Sequence, residues 1–201
     1  MPYTSDVRVG APDQATTGAI LHAPVGTALP TLSSISKTGI TLNPAFVGNE
    51  YVSEDGLTLS PSMSTSDIKD WSGSIVRKVL ESFDGKIKWK MISTNEGALD
   101  VAFGEANVTT NAATGTHGKQ VQAALGARLP EAQSWVFLMK DEDARIVIVV
   151  PKGQVTEVSD VTFAAKEAVG WEVTLSCYPD SSGNSIYIMT DDGVVVGGTS
   201  T

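Results

Sequence analysis

Hydrophobic and polar positions fall into short runs over most of the chain. The clearest run from Ser134 to Asp191. Trp135–Met139 stops at the acidic turn Asp141-Glu142-Asp143, and Arg145–Val150 stops at Pro151-Lys152-Gly153. Gln154 to Phe163 alternates loosely. Trp171–Tyr178 stops at a turn over Pro179–Asn184, and Ser185–Met189 follows. Short β-branched and aromatic runs, punctuated by turn residues about every 8–12 positions, predict antiparallel strands of a sandwich or barrel.

Upstream, Glu50–Leu59 predicts a strand pair around a tight Glu54-Asp55-Gly56 turn, and Pro61–Ser66 a loop. Asp70–Gly73 reads as a turn carrying Trp71. Ile75–Phe83 reads as a strand, Asp84-Gly85 as a hairpin turn and Lys86–Ile92 as the returning strand. The return alternates: Ile87, Trp89 and Met91 share the core side, and Lys86, Lys88 and Lys90 the solvent side. One α-helix is expected near 94–106. Ser93 with Glu96 matches a capping box, and Thr94 or Asn95 are alternative caps. Its apolar stripe, Leu99, Ala102, Phe103 and Ala106, should dock on a sheet face. Val108–Thr110 and Lys119–Leu125 read as weaker strands.

Residues 1–48 have a different texture. Prolines at 12, 24, 30 and 44 break any helix, yet Ile20, Leu21, Pro24, Val25, Leu29, Phe46 and Val47 are too apolar for a solvated linker. The segment is expected to be an extended N-terminal arm that hides these side chains against its own subunit or a neighbour. Residues 49–195 then form the β domain, and 196–201 a disordered tail. The fold class expected is mainly β: two packed antiparallel sheets, one flanking helix and the arm.

Composition narrows the function. The chain has 201 residues with 23 acidic against 14 basic side chains, for a net charge of −9. That balance argues against a protein that grips nucleic acid by its phosphates. The single cysteine, Cys177, sits in an apolar run and reads as a core residue, which suits a reducing compartment. No apolar run approaches the length of a membrane span, and the N-terminus carries no pattern of a secretory leader. No catalytic constellation is evident: His22 and His117 both read as loop residues, far apart, and no metal or phosphate-loop spacing occurs. No cofactor and no enzymatic activity are expected.

Three ordered stretches resemble the major tail (tail tube) proteins of long non-contractile-tailed phages, the actinobacteriophage type in particular. The first is 18–30. The second is Leu42–Val47 leading into Tyr51–Leu57 and Asp70–Gly73. The third runs from Ser134–Phe137 through Arg145–Glu157 to Val169–Trp171 and Thr190–Gly193. The resemblance implies a structural subunit whose hexameric rings stack into a tube that conducts genomic DNA. It implies contacts with itself, with a tape-measure protein and with tail terminator and baseplate proteins. Double-stranded DNA would transit without specific binding, no membrane would be involved, and the tail would be assembled in the host cytoplasm. If each subunit gave about four strands to an inner barrel of about 24, the barrel would be ~48 Å across. An acidic to neutral bore would keep DNA from sticking; Glu81, Glu157, Asp160, Glu167 and Glu172 are the candidates to line it, with Lys86, Lys88 and Lys90 turned away or neutralised. Two other readings are a bacterial secretion-tube or prophage-derived protein of the same fold, and a monomeric β-sandwich binding module using Trp71 or Trp171.

Overall fold

The computed structural model describes residues 7–13, 18–48 and 50–195. Its strands are β1 (Ala11–Pro12), β2 (Ile20–Pro24), β3 (Ile35–Ser36), β4 (Gly39–Ile40), β5 (Val52–Lys69), β6 (Ile75–Met91), β7 (Val108–Asn111), β8 (Gln120–Ala123), β9 (Gln133–Asp141), β10 (Ala144–Val158), β11 (Trp171–Tyr178) and β12 (Tyr187–Asp191). The α-helix, α1, covers Glu96–Phe103. Eight strands make one antiparallel sheet in the order β1-β9-β10-β11-β6-β5, with β2 also on β9 and β12 also on β10. β3–β4 and β7–β8 are separate two-stranded sheets.

The sheet curls. Trp89 of β6 and Phe137 of β9 meet edge to face with centroids 5.5 Å apart. Two strands stand between theirs, so a flat sheet would hold them about 14 Å apart. Curling closes the concave face over one core, which includes Ile87, Trp89, Met91, Trp135, Phe137, Ile148, Val150, Val173 and Leu175. Ala98, Val101 and Ala102 of α1 plug it. The two ends of the curl face each other across an open cleft of about 800 Å³, lined by Pro12, Ile20 and Met139 on one side and Val52–Leu57 on the other.

The convex face is covered over β9 and the first half of β10 alone. There Val136, Leu138, Val147 and Val149, with Leu21 and Ala23 of the adjoining β2, pack against Ile35 and Phe46. Burial on both faces explains why β9 and β10 read as continuous apolar runs rather than alternating ones. The arm therefore finds its surface on its own subunit: Ile20–Pro24 pairs with Phe137–Gln133, and Val47 bridges to His22. His22 is thus a strand residue, not the loop residue its sequence neighbourhood suggests. Gly48 is required beside it, because a Cβ there would collide with the Ile20 carbonyl.

Four local expectations are corrected. Glu54-Asp55-Gly56 does not reverse the chain; it lies within β5, where the register slips between Val52 and Leu57. Pro61–Ser66 is strand, paired to β6; Pro61 is tolerated because β5 is an edge strand and needs no outward donor. Asp84-Gly85 is mid-strand, since Gly85 pairs with Pro61 on one side and Cys177 on the other. The glycine serves packing there: a Cβ would come within 2.7 Å of Ile186 Cδ1. Pro151-Lys152-Gly153 is a register shift inside β10, which runs on to Val158. The helix is also shorter than expected. Asn95 caps it by accepting from Ala98 N at 2.9 Å, and it ends at Gly104, leaving Ala106 exposed in a following 3₁₀ turn. The tail at 196–201 lies outside the described residues.

Candidate assembly surface

β11 ends opposite Gly85, and among the described residues β5 and β6 have only each other as strand partners beyond that point. They continue as a two-stranded ribbon from Ser62–Asp84 to the turn at Asp70–Ser74, a reach of about 27 Å. The turn is locally determined. The Asp70 carboxylate accepts from the backbone N–H groups of Ser72 and Ser74, both at 2.9 Å, and from Ser72 Oγ at 2.6 Å. These bonds, that from the Ser72 hydroxyl foremost, hold the Asp70 pKa below its ordinary value. Gly73 supplies the positive φ (85°) that the turn needs.

Cross-strand partners share a face. One row contains Met63 with Phe83 and Thr65 with Leu80; the other contains Ser62 with Asp84 and Ser64 with Ser82. The apolar row continues the line of Leu59 with Ile87 and Leu57 with Trp89 beyond the end of the core. Among the described residues it lies largely open: Met63 is 68% and Leu80 58% exposed, and Trp71 at the tip is fully exposed. A lone two-stranded ribbon is marginal in water. Sequence reading missed it. The available signal was that Ile75, Val76, Val79 and Leu80 break strict alternation while their partner segment, Thr65–Lys69, offers Ile68 as its one apolar residue.

The second feature is the bare convex face of β10, β11, β6 and β5. It presents Lys152 with Tyr178, Gln154 with Ser176, Glu157 with Thr174, Glu172 with Lys90, and Lys88 with Thr58. Thr156 and Ser176 hydroxyls bond at 2.8 Å. Lys86 pairs with Asp84 at 3.3 Å. Of the lumen candidates, Glu157 and Glu172 lie on this face, and Glu81 sits on the ribbon within 3.5 Å of Ser64 Oγ. Asp160 and Glu167 lie off it, in the connection between β10 and β11. The face thus holds the lysine row and two of the acids together.

The other expected positions separate by burial. In the arm, Ile20, Leu21 and Phe46 are buried, Leu29 is half-buried, and Pro24, Val25 and Val47 are exposed. In the helix, Leu99 and Ala102 are buried, while Phe103 is half-buried with its ring edge-on to Trp171 at 5.5 Å. Burial, reinforced by the Asp84 charge, pushes the Cys177 thiol up to about 12, so it is no nucleophile at neutral pH. Among the described residues, no group of three or more His, Cys, Asp or Glu side chains is placed to hold a metal, and no helix is long and apolar enough to cross a membrane.

A family model described as phage tail tube protein matches residues 11–197. No curated protein matches the chain. Solved structures also resemble it, two of which follow. One is from the cryo-EM structure of the anti-feeding prophage cap (AFP tube terminating cap): 14% identity, 94% of this chain and 99% of that chain covered, TM-score 0.45. The other is from the virion of a native gene transfer agent particle: 10% identity, 75% and 92% covered, TM-score 0.40.

Proposed function

We propose that this chain, which belongs to the phage tail tube protein family, closes with copies of itself into hexameric rings that stack into the tube of the virion tail. The observation that carries this reading is the ribbon. Its apolar row of Met63, Phe83 and Leu80 stays exposed among the described residues, and its reach suits contact with a neighbouring copy. The bare polar face of β10, β11, β6 and β5 supports the second part. It offers four adjacent strands per subunit to line a bore, with the free edge of β5 available to the next copy. In this reading, residues 1–48 serve assembly as well as the core: Ile20, Leu21 and Phe46 fasten the arm, and Pro24, Val25 and Val47 face a neighbour. Duplex DNA transits the bore, the tape-measure, terminator and baseplate proteins meet the tube along and at its ends, and the tail is built in the host cytoplasm.

Negative-stain microscopy of the purified protein tests this. Six-fold rings and tubes are expected. A strictly monomeric particle at high concentration, even after seeding with preformed tube, overturns the reading.

A further inference from the structure

The lysine row carries an inference that composition argued against. Lys86, Lys88 and Lys90 stand at alternate positions of β6 and span about 13 Å of the bare polar face. The outer two have acidic neighbours: Lys86 pairs with Asp84 at 3.3 Å, and Lys90 stands across from Glu172. Lys90 is further confined where its stem lies over Gly170. Lys88 is different. Its cross-strand neighbours are Thr58 and Thr174, both neutral; it is exposed, and it forms no ion pair among the described residues. Thr174 adds an independent observation. Its residue is 2% exposed, and its hydroxyl is the buried side-chain polar atom among the described residues that lacks a hydrogen-bond partner. Buried hydroxyls are nearly always satisfied, so an orphan beside an unpaired cation marks a place where an anion can complete the bonding.

We infer that the strip Lys86–Lys88–Lys90, with the hydroxyls of Thr58 and Thr174, is a phosphate-binding site matched to the backbone of a nucleic-acid duplex. A duplex strand winds about its axis as it rises about 3.4 Å per step, so a straight strip of this length meets roughly two or three successive phosphates. The Lys88 ammonium takes the central phosphate, and the Thr174 hydroxyl donates to the same oxygens once the Lys88 side chain lifts. Asp84, Glu172 and Glu157 on this face keep the contact weak. In the tube reading, this sets one weak phosphate contact per subunit along the bore; the strip itself is a property of the single subunit.

The test uses the unassembled full-length subunit and a fluorescent duplex of about 20 base pairs, followed by anisotropy between roughly 20 and 200 mM salt. Binding is expected at low salt, with a log–log slope of about −2.7 if three lysines each displace one counterion. Lys88→Gln should reduce that slope by about one. Thr174→Val should weaken binding several-fold with the slope unchanged. Lys119→Gln, whose lysine is engaged with Glu96 at 2.5 Å near the helix, should change nothing. Thermal melting confirms that each variant is folded. Absence of duplex binding at low salt, or an unchanged slope in Lys88→Gln, overturns the inference. Tripolyphosphate that displaces the duplex at equal phosphate concentration overturns its assignment to nucleic acid. Ring formation is scored separately by microscopy, so a subunit that forms tubes without binding phosphate, or the reverse, distinguishes the two readings.

Discussion

Trp89 and Trp135 meet with ring centroids 5.4 Å apart and planes tilted by 58°, although β10 and β11 stand between their strands. The contact exists only because the sheet curls, and it locks the curl. Trp135 is pinned further by its Nε1 donating to the Gly153 carbonyl at 3.3 Å. Replacing either tryptophan by alanine should cost about 3–5 kcal/mol. The double variant should lose less than the sum, because both remove one shared contact. Trp71→Ala, at the exposed ribbon tip, should stay within about 0.5 kcal/mol of wild type. Urea unfolding of the four proteins measures this; strict additivity would show that the pair does not act as a unit.

The N-terminal segment is held by a buried ion pair. Arg145 donates through Nη1 to Asp13, through Nε to the Ser36 carbonyl at 2.9 Å, and through Nη2 to the Lys37 carbonyl at 3.2 Å. Asp13→Ala leaves a buried guanidinium uncompensated and should cost about 3–5 kcal/mol. Asp13→Leu combined with Arg145→Met removes both charges and should cost less than Asp13→Ala alone. Chemical denaturation that ranks them the other way would refute the pairing argument.

On the helix, burial orders the effects. Leu99→Ala should lose about 3 kcal/mol; Phe103→Ala, half-exposed and edge-on to Trp171, about 2 kcal/mol. Ala106→Ser, on the exposed 3₁₀ turn, should change stability by less than about 0.5 kcal/mol. Melting temperatures that placed Ala106→Ser with the other two would mean that the stripe docks through its full length.

The ribbon should separate stability from assembly. Met63→Ser and Leu80→Ser alter side chains that touch little in the subunit, so unfolding free energy should move by no more than about 0.5 kcal/mol. Ring or tube yield should fall sharply. Normal tubes from both variants would remove the ribbon from the assembly contacts.

His22 gives the subunit a pH dependence. Its ring lies 5.1 Å from that of Trp135, and burial lowers its pKa below the ordinary 6.5, against the opposing pull of Glu50. The unfolded chain therefore binds the proton more readily than the folded one. Stability should be unaffected by His22 above pH 6.5, fall as pH drops below that value, and level off once the folded-state pKa is passed. His22→Gln should flatten that segment of the stability profile. An identical profile in the variant would place the titration elsewhere.

What the sequence determined by itself is local. Period-two alternation put Ile87, Trp89 and Met91 on one side of β6 and the lysines on the other, and the structure buries the first three. The unbroken apolar runs of β9 and β10, and the helix with its cap among residues 93–95, were equally readable, because side-chain periodicity and capping act over a few residues. Tertiary structure decided what depends on partners distant in the chain. Asp84-Gly85 and Pro151–Gly153 carry turn residues, but strands on both sides hold them extended. Phe46 and Val47 are adjacent and both apolar, yet the backbone bridge from Val47 to His22 turns one inward and leaves the other exposed. Leu80 reads in the sequence as part of an apolar strand and Met63 as part of a loop, yet the structure leaves both exposed. They are bare because β11 stops opposite Gly85, and the length of a neighbouring strand is written nowhere in their own segment.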